Sequence, residues 1–183
     1  MPRVYLVRHG RASAGWDTDP DPGLDDLGRH QATRVADHLG PLGAFALVSS
    51  PLKRCQETAS FLSARWGTAA VIEPAVAEIP SPEGIPIGQR IEWLRTAMAG
   101  SWSQLGTRYT DFRDGVGAYV ASCTVDTVIA SHFVAINAAI GVATNSDALV
   151  IRSLDNCSIT VIDVVDGLFH LVEGGHEADT LIR

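Results

Sequence analysis

Arg8-His9-Gly10 puts a nucleophile beside a fixed positive charge and follows it with glycine. Neutral imidazole attacks phosphorus readily, and glycine leaves the adjacent backbone free to turn. Taken alone the tripeptide is common, and a lone histidine is usually structural or merely exposed. A second cluster, Ser50-Pro51-Leu52-Lys53-Arg54 followed by Thr58-Ala59, puts Arg54 in the first turn of an expected helix. Free N–H groups and the helix dipole favour an anion there, and a guanidinium matches phosphate oxygens two at a time. Ser131-His132 supplies another imidazole, able to donate to a phosphate oxygen. Each cluster has a plain alternative: a surface arginine on a helix, or a capping serine beside a bystander histidine. They become one chemistry only if the chain brings them together.

The elements around them argue that it does. Val4 to Val7 reads as a buried strand, and residues 10–23, with three glycines, two prolines and three aspartates, as a loop. A helix is expected from Asp25 as N-cap to Gly40-Pro41, with Leu27, Ala32, Val35, Ala36 and Leu39 as its apolar positions. Phe45 to Val48 reads as a strand. Ser50-Pro51 reads as N-cap and first residue of a helix ending at Trp66-Gly67. A third strand over Ala70 to Ile72 precedes a proline- and glycine-rich loop over 74–88, long enough to be functional. Two helices near 89–99 and 108–122 are expected, then a strand over Thr127 to Ala130 and a helix opened by Ser131-His132. Ser158–Val164 and Leu168–Val172 read as a hairpin turning at Asp166-Gly167.

Strands alternating with helices imply an α/β fold with a mostly parallel central sheet flanked by helices in three layers. Ligands of such sheets bind beyond the carboxyl ends of the strands. Arg8-His9, Ser49-Ser50 and Ser131-His132 all follow strands, so they should converge there.

Composition narrows the classes. At 183 residues, 46% hydrophobic and 19% charged, a single domain over 1–183 with a sizeable core is expected. A net charge of −7 argues against a nucleic-acid partner, without forbidding a local basic pocket. Cys55, Cys123 and Cys157 form no C-x-x-C pair, which suits reduced thiols and a cytoplasmic location. The N-terminal apolar stretch is too short for a signal peptide, and no run is long enough for a membrane span.

In order and spacing, L-V-R-H-G, the S-P-L-x-R-x-x-x-T-A run and the strand-terminal S-H resemble the histidine phosphatase superfamily, also called phosphoglycerate mutase-like. Leu24-x-x-x-Gly28-x-x-Gln31-Ala32 is similar to the first-helix pattern of that family, and the likeness spans Val4 to about Val172. The resemblance implies that His9 is the nucleophile and becomes a phosphohistidine, with Arg8, Arg54 and His132 forming the cationic pocket. It implies that no metal or other cofactor is required. The substrate would be a small phosphomonoester or a phosphoprotein, with phosphate, sulfate or vanadate as ligands. A general acid must protonate the leaving oxygen. Glu78, in Ala77-Glu78-Ile79, resembles the family position. Glu83 is the main rival, and Glu73 is too close to the strand. Ser13 is a further phosphate-binding candidate.

The chain departs from the mutases of that family. Their R-H-G-E-S-x-W-N is here Arg8-His9-Gly10-Arg11-Ala12-Ser13-Ala14-Gly15-Trp16-Asp17, and Glu78 is followed by Ile79-Pro80-Ser81-Pro82 rather than a polar E-R-x-Y-G run. These differences favour a phosphatase over a cofactor-dependent phosphoglycerate mutase. A non-catalytic phospho-ligand-binding module is the third reading. Ile79, Ile85 and Ile87 would wall the site and favour aryl phosphates, unless they pack inward. Other chemistries fail on spacing. No cysteine has arginine six residues on, Asp17-Thr18-Asp19-Pro20-Asp21 lacks the threonine of D-x-D-x-T, and His176-Glu177 meets Thr180 where H-E-x-x-H needs histidine. His30 and His38 lie too far apart on their helix to share a metal, and no cluster has ligand spacing in sequence.

Overall fold

The computed structural model describes residues 1–15 and 17–178. Trp16, in the loop that departs from the mutases, and Thr180 lie outside the described residues. Six strands form one sheet: β1 (Arg3–Arg8), β2 (Ala46–Ser49), β3 (Val71–Ile72), β4 (Thr127–Ser131), β5 (Ile159–Val165) and β6 (Leu168–Glu173). Their order is β3-β2-β4-β1-β5-β6. The first four are mutually parallel. β5 and β6 join antiparallel at the β1 side, so the expected mostly parallel sheet is present. β5 and β6 turn through Asp166 and Gly167, both at positive φ, as the two-residue hairpin signal requires.

The strands alternate between two cores. Val7, Leu47, Val128 and Ala130 face α1 (Asp26–Leu39) and α2 (Lys53–Trp66), meeting Val35, Leu39, Ala59 and Leu62. Val4, Leu6, Val48, Ile129 and Ile162 face the other way. There they meet α3 (Arg90–Met98), the single-turn α4 (Trp102–Leu105), α5 (Thr107–Ala121) and α6 (Phe133–Thr144). The period-two alternation of the strands thus divides the helices into two outer layers. α6 is buried from Phe133 through Gly141, as a helix apolar on all faces must be.

Most element boundaries fall where the sequence places them. Asp25 caps α1, its carboxylate accepting from Gly28 N at 2.7 Å. Gly67 ends α2 in the left-handed region. Leu27, expected among the inward apolar positions of α1, is exposed instead. One reading needs correction: Ser50 does not cap α2. Ser50 N still donates to Ala130 O across the sheet at 3.0 Å, so the chain leaves the strand late and the cap falls at Leu52. The helix start is served from the loop after β1, where Asp21 accepts from Lys53 N at 2.7 Å. Among the described residues no helix is long and apolar enough to cross a membrane.

Candidate active site

β1, β2 and β4 end in Arg8, Ser49 and Ser131, side by side at the carboxyl edge of the sheet. His9 follows β1 and His132 follows β4, and their rings lie 5.3 Å apart, nearly edge to face. Arg54, on the second residue of α2, reaches between them: its Nε donates to His9 Nε2 at 3.1 Å, and its Nη2 lies 3.3 Å from His132 Nδ1. Glu78 closes the group, with Oε2 3.3 Å from Arg54 Nη2 and 3.2 Å from His132 Nδ1. The structure therefore brings Arg8, His9, Arg54, Glu78 and His132 together. Four of them are nearly fully buried, while the Glu78 side chain keeps 18% of its surface exposed toward the loop.

The tautomer of His9 follows from its partners. Gly10 O, 2.8 Å from Nδ1, can only accept, so Nδ1 carries the proton. Nε2 is then a lone pair, which agrees with its accepting from Arg54. Burial first, then the charges of the Arg54 and Arg8 guanidiniums, hold the His9 pKa well below its ordinary value. Its Nε2 stays unprotonated at neutral pH. His132 is lowered too, by burial and by the two arginines against the opposing pull of Glu78. Its Nε2 lies 2.7 Å from Ser50 Oγ, which also accepts from Leu52 N. A neutral His132 therefore accepts a hydrogen bond from Ser50 Oγ–H at Nε2 and donates Nδ1–H to Glu78.

Arg8 donates through Nη1 to Leu154 O at 2.6 Å and lies 5.2 Å over the Phe133 ring. Its Nε is buried without a hydrogen-bond partner among the described residues. Burial lowers its pKa to about 10, still protonated at neutral pH. Burial pushes Glu78 up, but the hydrogen bond from His132 Nδ1–H and the charge of Arg54 outweigh it and hold the carboxyl below the usual range. Two fixed guanidinium charges thus face one carboxylate and two neutral imidazoles, an excess of positive charge in a protein of net charge −7.

His9, Glu78 and His132 also place one ligand atom each within 4.8 Å of one another, a donor set that could hold a metal ion. Spacing along the chain hides this set, because the three lie on separate elements. Arg54 already donates into it at His9 Nε2 and Glu78, and a guanidinium there opposes a divalent cation while favouring an anion.

Two sequence candidates fall elsewhere. Glu83 is exposed and paired with Arg108 at 2.5 Å, because the loop turns outward after Pro82. Ser13 is exposed, with its N–H on Gly23 O, and among the described residues it makes no hydrogen bond to Arg8, His9, Arg54 or His132. Ile79 is 2% exposed and packs into the core under α3–α6, so the apolar wall expected from this loop loses its first member. Four contributors went unassigned in the sequence: Ser50, Thr58, Leu154 through its carbonyl, and Asn156, which donates to His9 O at 3.1 Å. Ser50 and Thr58 lie inside the S-P-L-x-R-x-x-x-T-A run, which was the available signal.

Strand ends that carry fixed cations and unprotonated imidazoles suit a tetrahedral anion such as a phosphoryl group. The family follows from the sequence: residues 4–175 match the histidine phosphatase superfamily (branch 1), and the chain belongs to it. Among curated relatives, a probable phosphoglycerate mutase GpmB of Enterobacter sp. (strain 638) is 26% identical over 89% of this chain and 85% of its own length. An uncharacterized Mycobacterium tuberculosis protein is 34% identical over 56% of this chain and 57% of its own. Among solved structures, a mycobacterial glucosyl-3-phosphoglycerate phosphatase complexed with VO3 superposes with a TM-score of 0.76 at 21% identity, covering 95% of this chain and 99% of that one. A phosphoserine phosphatase mutant from Entamoeba histolytica, in complex with phosphoserine, gives 0.74 at 20%, covering 94% and 96%. Likeness at that identity establishes a shared fold.

Proposed function

We propose that the protein is a metal-independent phosphatase that hydrolyses phosphomonoesters through a phosphohistidine on His9. The observation that carries this is the His9 ring itself, whose Nδ1 proton is fixed on Gly10 O while the Nε2 lone pair faces Arg54. In the first step Nε2 attacks phosphorus in line as the P–O ester bond breaks. The electron pair leaves on the ester oxygen, which takes the proton of Glu78. In the second step the Glu78 carboxylate removes a proton from water. That water attacks phosphorus, the P–N bond breaks, and phosphate and free His9 are regenerated. Arg8, Arg54 and His132 hold the phosphoryl oxygens and the charge that spreads over them, which is the main work in phosphoryl transfer.

Glu78 is ionised beside Arg54 and His132 before substrate arrives. A bound phosphate dianion takes up the positive field of those groups and sets its own charge beside the carboxyl, which raises the Glu78 pKa. The carboxyl is then protonated in the complex, as a general acid must be. Phosphate, sulfate and vanadate fit the same cradle, which agrees with the vanadate-bound and phosphoserine-bound phosphatases of the same fold.

The competing reading is a phosphoglycerate mutase, the name carried by the Enterobacter relative. Arg11 stands against it, because the mutase glutamate is replaced by an arginine whose Nε is bound to Asp25 at 2.5 Å. The deciding assay incubates the purified protein with 2-phosphoglycerate and with a panel of phosphomonoesters, with and without EDTA. Release of inorganic phosphate, undiminished by EDTA, is expected. Formation of 3-phosphoglycerate without phosphate would establish the mutase, and dependence on added Mg²⁺ or Zn²⁺ would contradict metal independence.

A further inference from the structure

The peptide unit joining His9 to Gly10 is gripped at both ends. Beyond Val7 the β5 side of β1 has no further ladder partner, since the register ends at Val7↔Ile159. The carbonyls that follow are taken up by the turn before β5. Cys157 N, bent back by a left-handed residue (φ 56°), donates to Arg8 O at 3.0 Å and lies 3.4 Å from His9 O. The Asn156 side chain donates to His9 O at 3.1 Å. On the other side, the N–H of the same peptide unit, at Gly10, donates to Thr58 Oγ1 at 3.0 Å. Thr58 is 2% exposed and is anchored by its own hydroxyl on Arg54 O at 2.7 Å.

The next carbonyl along, Gly10 O, accepts the Nδ1 proton of the His9 ring. Its direction is set by the rotation of Gly10. A side chain there would lie 2.5 Å from Gly28 O, so the residue is glycine and its torsions have no side chain to restrain them. Gly10 O is kept under the ring by the fixed His9–Gly10 peptide on one side and, on the other, by its own peptide unit, whose N–H at Arg11 donates to Gln31 Oε1 on α1 at 2.9 Å.

We infer that Asn156 and Thr58 are positioning residues that clamp the His9–Gly10 peptide unit from opposite sides of the sheet edge and so hold His9 in the Nδ1–H tautomer, with Nε2 unprotonated. The inference rests on the reading of His9 as the nucleophile, but it makes a claim about ring protonation that can be tested without turnover. Neither residue touches the site of the transferring group. Their loss should therefore act on kcat rather than on KM, because an imidazole protonated at Nε2 binds phosphate but cannot attack it.

The experiment pairs Asn156→Ala and Thr58→Val with the conservative Thr58→Ser. Each is read by steady-state kinetics on an aryl phosphate and by ¹⁵N NMR of the His9 ring, with melting curves to verify folding. Asn156→Ala and Thr58→Val are expected to lower kcat on the order of 10-fold to 100-fold with KM nearly unchanged. Their His9 ring signals should shift toward the Nε2–H tautomer, and Thr58→Ser should recover most of both. Folded variants with unchanged tautomer and kcat would overturn the clamp. So would a loss of kcat with the tautomer intact. Activity retained in His9→Ala would instead overturn the nucleophile, and the NMR result would still judge the clamp by itself.

Discussion

Glu78 is the residue whose chemistry depends most on what is bound. In the proposed reaction it starts ionised, held there by the His132 hydrogen bond and the Arg54 charge against the effect of its own burial. It must gain a proton when the phosphate arrives. Its loss should therefore harm substrates in proportion to the basicity of their leaving group. Glu78→Gln is expected to slow an alkyl phosphate by about 10²–10⁴-fold, the usual range for general acid catalysis, and p-nitrophenyl phosphate far less. Kinetics on both substrates decide it. Equal losses would show that Glu78 positions phosphate and donates nothing. Glu83→Gln should change neither rate, since Glu83 lies out on Arg108.

Close approach of two elements holds the loop after β1 in place. Gly28, in the first turns of α1, leaves no room for a side chain: a Cβ there would sit 2.2 Å from Arg11 O, and one on Gly10 2.5 Å from Gly28 O. Gly28→Ala should push α1 off the loop, costing about 1–3 kcal/mol, and should lower kcat by disturbing Gly10 O. Denaturant melts and kinetics check both, and a wild-type midpoint would show that the contact is soft. The same elements show what could be read in advance. Strand ends, caps and helix starts carry local signals, so Arg8, His9, Arg54 and His132 could be placed from L-V-R-H-G, the helix start and the S-H pair. Ser50 could not, because Ser-Pro before a helix reads as a cap, and only the sheet register shows that it stays with the strand. Nor could Asn156 and Thr58, whose contacts with the His9–Gly10 peptide span 147 and 48 residues. Glu78 and Glu83 share one loop, and no local pattern states where that loop turns outward. The single-turn α4, between Gly100 and Gly106, is too short to leave a periodicity.

At the scale of the whole molecule, the buried site makes stability depend on pH. The folded His9 and His132 take up protons at lower pH than their unfolded counterparts. Below the ordinary histidine value of about 6.5, the unfolded chain therefore binds more protons, and stability falls as pH drops through that window. Two such groups give a slope of up to about 2.7 kcal/mol per pH unit. Glu78, also depressed, adds its own loss as pH falls below the ordinary carboxylate range of about 4.3. Urea unfolding between pH 7 and pH 5 should show a falling free energy, and His9→Ala should reduce the slope by about half. A flat profile in the wild type would mean that the histidines are not held neutral. Saturating phosphate or vanadate should raise stability throughout by binding the folded state alone.

The most direct test of the phosphohistidine is to trap it. The protein is mixed with a labelled aryl phosphate, quenched within milliseconds in base, and the label is located by peptide mapping. A phosphoryl group stable to base, labile to acid and attached to His9 Nε2 is expected, formed no more slowly than turnover and absent from His9→Ala, which should also be inactive. Turnover by His9→Ala at a rate near the wild type, or label on any residue but His9, would contradict it.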